Sequence, residues 1–207
     1  MTPPLPPKPL GTYLTDYPSN PPTIEVQCYL DLVCPFSCKM YQTLYEEVLP
    51  AIKTDQRIAI KIYHVVQPWH PQSTLVHEAA LAAKKVHNTT DQYLRYLLWI
   101  CKKFLEEGKF TDADTWKKSR DEIYTELIAG IPNTTSKVRM KTEVAPNGTI
   151  GNHGNDMTQY IKWACKHHRA MGVHVTPTVF VNGIEAVQVS SGWKSEDWMG
   201  FFDTFGL

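Results

Sequence analysis

The sequence predicts an α/β fold into which an all-helical subdomain is inserted. Three observations carry this: a strand–helix–strand unit early in the chain, a stretch of roughly 85 residues with helical but no strand periodicity, and a return to strand, tight turn and strand near the end.

The unit begins with IEVQCYLD, where Ile24, Val26, Cys28 and Leu30 alternate with Glu25, Gln27, Tyr29 and Asp31. A period of two is the signature of a strand. The period then changes, because Tyr41, Leu44, Tyr45, Val48 and Leu49 recur at helical spacing. They predict a helix from about Cys34 until Pro50 ends it. IAIKIYHVV, from Ile58 to Val66, alternates again. Strand, helix and strand at this spacing form a right-handed βαβ unit with parallel strands.

Helices follow at about Ser73 to His87, Asp91 to Glu107, Asp112 to Ala129 and Ser136 to Val144. The chain then gives a helix at about Asn155 to Met171, a strand from Thr178 to Val181, a second strand around Glu185 to Val189 and a last helix from Ser195. Asn182-Gly183 between two apolar runs is a hairpin signal, since both central residues of a type I′ turn need positive φ. The predicted organisation is an arm at residues 1–22, an α/β domain at 23–66 and 155–207, and the helical subdomain at 67–154.

Eight of the 15 prolines fall in the first 22 residues. That arm has few backbone donors and is expected to be an extended tail rather than helix or sheet. Within it Pro3, Pro6 and Lys8 form a Pro-x-x-Pro-x-Lys string of the kind a proline-reading domain docks in an aromatic groove.

The 21 basic and 21 acidic residues balance, so no chain-wide field favours nucleic acid or an anionic membrane surface. The opening MTPPLPPKPL has no basic patch followed by an apolar run, and no segment has the length of a membrane span. With five cysteines, an odd number, the chain reads as reduced and cytoplasmic. Asn-x-Ser/Thr triplets at Asn88, Asn133 and Asn147 are expected to be chance occurrences.

The cysteines separate by position. Cys28 shares a strand face with Ile24 and Val26, Cys101 is in line with Leu94, Leu97 and Leu98, and Cys165 extends a stripe from Ile161 and Ala164. All three are expected to be small buried hydrophobes. A zinc site is not expected, because Cys165 and His168 supply at most two helix-face ligands. Cys34 differs: it stands where a strand gives way to a helix, and the unpaired amides and positive dipole end there favour a thiolate. Pro35 suits the first turn, where its missing N–H costs nothing.

YLDLVCPFSCKMYQTL, together with GVHVTPTVFVNG about 140 residues later, resembles the thioredoxin superfamily, specifically its DsbA-like branch, in which a helical domain interrupts a thioredoxin-like fold. The resemblance covers Thr23 to Leu207 and implies a thiol-disulfide oxidoreductase. It implies that Cys34 is the nucleophile and that Pro177 follows a cis bond. It also implies that the backbone of Thr176 pairs with an extended thiol-bearing substrate, with Pro35, Phe36 and Val175 around it. Near Pro68, Trp69 and His70 the chain leaves the second strand at the end where Cys34 lies, so this loop, with Trp69, is expected to line the groove. His70 in the same loop is expected to be solvated.

The sequence departs from the dithiol pattern at Ser37, which occupies the resolving position. Cys38 lies at i+4, where helical Cβ atoms are about 5–6 Å apart and a disulfide needs about 3.5–4.5 Å. A Cys34–Cys38 bond would therefore need local unwinding. Ser37 is expected to donate its hydroxyl to the Cys34 thiolate. A Cys-Pro-x-Ser site resembles monothiol glutaredoxin-type centres, which use glutathione as co-substrate and bind no cofactor. Two other expectations stay open: a kappa-class glutathione transferase or 2-hydroxychromene-2-carboxylate isomerase, in which Ser37 would activate glutathione, and a non-catalytic binding protein.

Overall fold

The computed structural model describes residues 4–15 and 21–206. Its sheet is built from β1 (Thr12–Tyr13), β2 (Ile24–Leu30), β3 (Ile58–His64), β4 (Thr178–Val181) and β5 (Ile184–Glu185), in the spatial order β1-β3-β2-β4-β5. β2 and β3 are parallel, with Cys28 opposite Ile62, and the other neighbouring pairs are antiparallel. The predicted βαβ unit is thus present, and the hairpin joins it at β4.

The arm is not wholly a tail. Thr12 and Tyr13 pair with Ile62 and Lys61, and Leu14 enters the core. No proline falls within the paired residues, so the strand keeps its donors. Pro3 of the proline string lies outside the described residues.

Between β2 and β3, α1 (Pro35–Thr43) runs through a π-helical turn (Leu44–Val48) into α2 (Leu49–Ile52). Pro50 therefore does not end the helix. Its ring would collide with the carbonyl four residues back in a regular α-helix, and the wider turn before it relieves that contact. After β3 come α3 (Ser73–Val86), α4 (Thr90–Glu107), α5 (Asp112–Thr115), α6 (Arg120–Ala129) and α7 (Thr134–Val144). The single helix expected from Asp112 to Ala129 is two, because a capping box at Ser119 and Glu122 starts α6 afresh. α8 (Thr158–Ala170) precedes the hairpin and α9 (Ser195–Asp203) closes the fold. β5 stops at Glu185, short of the expected Val189. Asn182 and Gly183 have φ of 49° and 83°, the two positive values a type I′ turn demands.

Both faces of the sheet are covered. Ile24, Val26, Cys28 and Leu30 share one continuous core with Leu97, Ile100, Leu127 and Met140 of the helical insertion. On the opposite face Tyr29, Tyr63, Val65 and Phe180 form a smaller cluster, with the His167 ring of α8 set edge-on against both tyrosines. α1 packs against α4, and the Tyr41 hydroxyl donates to the Leu94 carbonyl at 2.9 Å. The insertion is thereby fixed to the helix that begins at Cys34.

Candidate active site

The ends of β2 and β3, the start of α1 and the loop before β4 meet at one place. Cys34 is the N-cap of α1 with extended backbone, and Pro35 follows in the first turn. Its amide donates to the Asp31 carbonyl at 3.1 Å, closing the turn that swings the chain from strand to helix. The Cys34 residue is 5% exposed, and its Sγ lies 3.3 Å from the carbonyl oxygen of Thr176. The Thr176–Pro177 peptide bond is cis. Chain segments 142 residues apart thus converge on one sulfur.

Exposed apolar side chains lie on the three segments that meet here. Phe36, Trp69 and Val175 are 55%, 56% and 60% exposed, and Pro35 is exposed as well. Gln67, whose amide nitrogen is 3.5 Å from the His174 carbonyl, ties the loop after β3 to the loop before β4. Large apolar surfaces left in water around a reactive group suit an apolar or peptide ligand.

The second cysteine faces elsewhere. Cys38 is fully buried, with its sulfur 3.3 Å from the Leu32 carbonyl. Burial, reinforced by the neighbouring Cys101 thiol, pushes the Cys38 thiol well above its ordinary pKa. It is packed as a small buried side chain. Cys28 is likewise buried, and desolvation pushes it up to about 12. Cys101 is buried too, whereas Cys165 is only half-buried, contrary to expectation, because α8 presents that part of its surface outward.

Ser37 meets the end of β2. It is 1% exposed, and its oxygen accepts the Asp31 amide at 3.3 Å, so it braces the strand end. Three residues past the cap, its side chain is turned inward toward the end of β2.

The largest surprise is Asp31, which sits in the motif but has no role in the sequence reading. Its carboxylate is completely buried and accepts from Ser73 Oγ at 2.9 Å, His70 Nδ1 at 3.0 Å, His77 Nε2 at 3.2 Å, and the amides of Val33 and Gln67. Burial opposes the charge, but these donors, His77 foremost, outweigh it and hold the pKa below the ordinary carboxylate value. His77 Nε2 lies between the Asp31 carboxylate and the Leu32 amide, which donates to it at 3.2 Å. His77 Nδ1 is 2.8 Å from His64 Nδ1, and His64 Nε2 is 2.8 Å from the Tyr93 hydroxyl. A chain of hydrogen bonds so runs from beneath Cys34 into the helical insertion. His70, expected in solvent, is half-buried in this network. The available signal was Ser73 and His77 at i, i+4 on the buried face of α3.

Solved structures share this arrangement of elements. A Pseudomonas syringae protein described provisionally as a protein-disulfide isomerase superposes with TM-score 0.68 and 19% identity, over 87% of this chain and 93% of that one. BdbD from Bacillus subtilis gives 0.59 and 15% over 93% and 91%, and DsbA from Mycobacterium tuberculosis 0.56 and 16% over 94% and 91%. The fold is the DsbA-like thioredoxin fold. No family model and no curated protein matches the chain. In this thioredoxin-like fold the inserted helical subdomain supplies Ser73 and His77 to Asp31, so the insertion builds part of the site. Among the described residues no group of three His, Cys, Asp or Glu could hold a metal ion, and no helix is long and apolar enough to cross a membrane.

Proposed function

We propose that this protein is a thiol-disulfide oxidoreductase that works through Cys34 alone, with glutathione as co-substrate. The observation that carries this reading is the Cys34 sulfur at the start of α1, 3.3 Å from the Thr176 carbonyl, with exposed Phe36 and Val175 on the same two segments. Cys34 is held on a rigid element at the start of a helix, and the backbone at Thr176 offers an extended substrate a place to pair.

In the first step the Cys34 thiolate attacks the glutathione sulfur of a mixed disulfide. A Cys34–glutathione bond forms, the original disulfide breaks, and the substrate leaves as a thiolate that takes a proton from water. In the second step a glutathione thiolate attacks the glutathione sulfur bound to Cys34, releasing glutathione disulfide and restoring the Cys34 thiolate. The substrate is reduced and two glutathione moieties are oxidised to one disulfide. The direction of Cys38 toward the Leu32 carbonyl, and its raised pKa, support a cycle without a resolving cysteine.

The transferase reading draws less support, since the Ser37 hydroxyl is buried and engaged with the Asp31 amide. One experiment separates the readings. Turnover of a glutathionylated peptide, coupled to glutathione reductase, is measured for the wild type, Cys34→Ser and Cys38→Ala. Loss in Cys34→Ser and retention in Cys38→Ala is the expected result. Turnover that survives Cys34→Ser, or vanishes in Cys38→Ala, defeats the proposal. Conjugation of 1-chloro-2,4-dinitrobenzene by Cys34→Ser would favour the transferase.

A further inference from the structure

The outer side of α8 is basic in a chain that is neutral as a whole. The helix carries Lys162, Lys166 and Arg169 and no Asp or Glu. Spacings of four and three residues put these cations in one row, and all three are exposed. None has a carboxylate within 4 Å among the described residues. Unpaired cations gathered on one face attract an anionic partner.

Beside that row lies a concave apolar surface. Tyr160, Trp163 and His167 of α8 line a cavity of about 440 Å³ that the arm, β2, β3 and α3 complete. None of Cys34, Phe36, Trp69 or Thr176 lines it, and neither does any Asp or Glu. On its α3 side Lys85 is paired with Glu143, whereas Lys84 is held by the Thr12 hydroxyl at 2.6 Å and the Gly11 carbonyl at 3.3 Å. An apolar hollow of this size takes in a large side chain as an anchor, with charges around it setting the orientation.

The arm shows what kind of molecule this face accepts. Trp163 Nε1 donates to the Pro4 carbonyl at 2.6 Å, so a peptide backbone is already held there, and the arm lines the cavity while leaving its space open. A flat bilayer would not fill the hollow; a peptide can place a side chain in it.

We infer that the groove between α3 and α8 docks an acidic peptide segment of a partner protein. An apolar side chain of the segment enters the cavity, and carboxylates flanking it meet Lys162, Lys166 and Arg169. The inference stands apart from the chemistry of Cys34.

The probe is a fluorescein-labelled peptide with a central phenylalanine between two blocks of glutamates, titrated into the full chain at about 50 mM salt and followed by anisotropy. Saturable binding is expected, at least about tenfold weaker when glutamines replace the glutamates, when alanine replaces the phenylalanine, or when salt is raised to about 500 mM. Lys162→Glu, Lys166→Glu and Arg169→Glu combined weaken it by at least the same factor. Lys53→Glu, Lys117→Glu and Arg139→Glu combined, an equal change of net charge at exposed positions elsewhere, weaken it by less than about threefold. No saturable binding, equal affinity for the glutamine peptide, or equal losses in the two combinations overturns the inference. So does capture of the protein by phosphatidylserine vesicles without binding of the peptide, which would make this face a membrane contact. The comparison among peptides needs no variant, so a poorly folding mutant does not blunt it.

Discussion

Cys34 Sγ and the Thr176 carbonyl oxygen stand 3.3 Å apart, although 142 residues separate them in the chain. A thiol this close to a backbone acceptor is held in one orientation, toward the loop where Val175 is exposed. Iodoacetamide applied to the native protein should therefore modify Cys34 and the half-buried Cys165, and leave Cys28, Cys38 and Cys101 untouched until the protein unfolds. Mass spectrometry of the labelled chain checks this. Early label on Cys38 contradicts it.

The exposed rim makes a separable prediction. Trp69 and Phe36 touch water in the free protein, so an apolar peptide substrate gains by covering them. Trp69→Ala should raise KM for a peptide disulfide by about fivefold to tenfold, roughly 1 kcal/mol or more, while a small disulfide such as β-hydroxyethyl disulfide reacts at the wild-type rate. An equal loss on both substrates would place Trp69 in packing instead.

Asp31 holds the site from below. Asp31→Ala strands the Ser73 hydroxyl and the Val33 and Gln67 amides in the interior, and should cost about 3 kcal/mol or more in urea unfolding. Asp31→Asn, which keeps the volume and one accepting oxygen, should lose less. A stability unchanged in Asp31→Ala would show that water replaces the carboxylate there.

Stability should fall in acid before ordinary carboxylates titrate. Burial and the adjacent His77 and Lys84 hold the His64 pKa well below the usual histidine value, against the pull of Asp31. The unfolded chain then takes up a proton at His64 while the folded chain does not. Below pH about 6.5 the folded state loses up to about 1.4 kcal/mol per pH unit, until the folded pKa is reached. Asp31, whose pKa is also lowered, adds its loss only below its ordinary value, as the pH falls through the folded one. Urea midpoints measured from pH about 7 to about 4.5 should decline, and more shallowly in His64→Gln. A flat wild-type profile would contradict the buried neutral histidine.

Local signals in the sequence were enough for most elements. Asn182-Gly183 specifies its own turn because only residues tolerant of positive φ can occupy it, and both dihedrals are positive. The alternation of Ile24 to Leu30 specifies β2 because one face must be apolar. Cys34 was legible because the change of period at Asp31 to Pro35 marks a helix start. Local signals failed where neighbours from elsewhere set the outcome. Thr12 and Tyr13 form a strand because β3 offers an unpaired edge, and Pro50 stays helical because the π turn makes room for it.

The site divides in the same way. The sequence by itself determined Cys34 at a helix start, that helix and the strands β2 and β3 beside it, since these depend on local periodicity. Only the tertiary structure decided what surrounds them. Ser37 turned to the Asp31 amide, Cys38 to the Leu32 carbonyl, and Asp31 gathered Ser73 and His77 from α3 of the insertion, 42 and 46 residues away. A buried carboxylate must collect donors wherever the packed chain brings them, and that requirement leaves no period or spacing in the sequence.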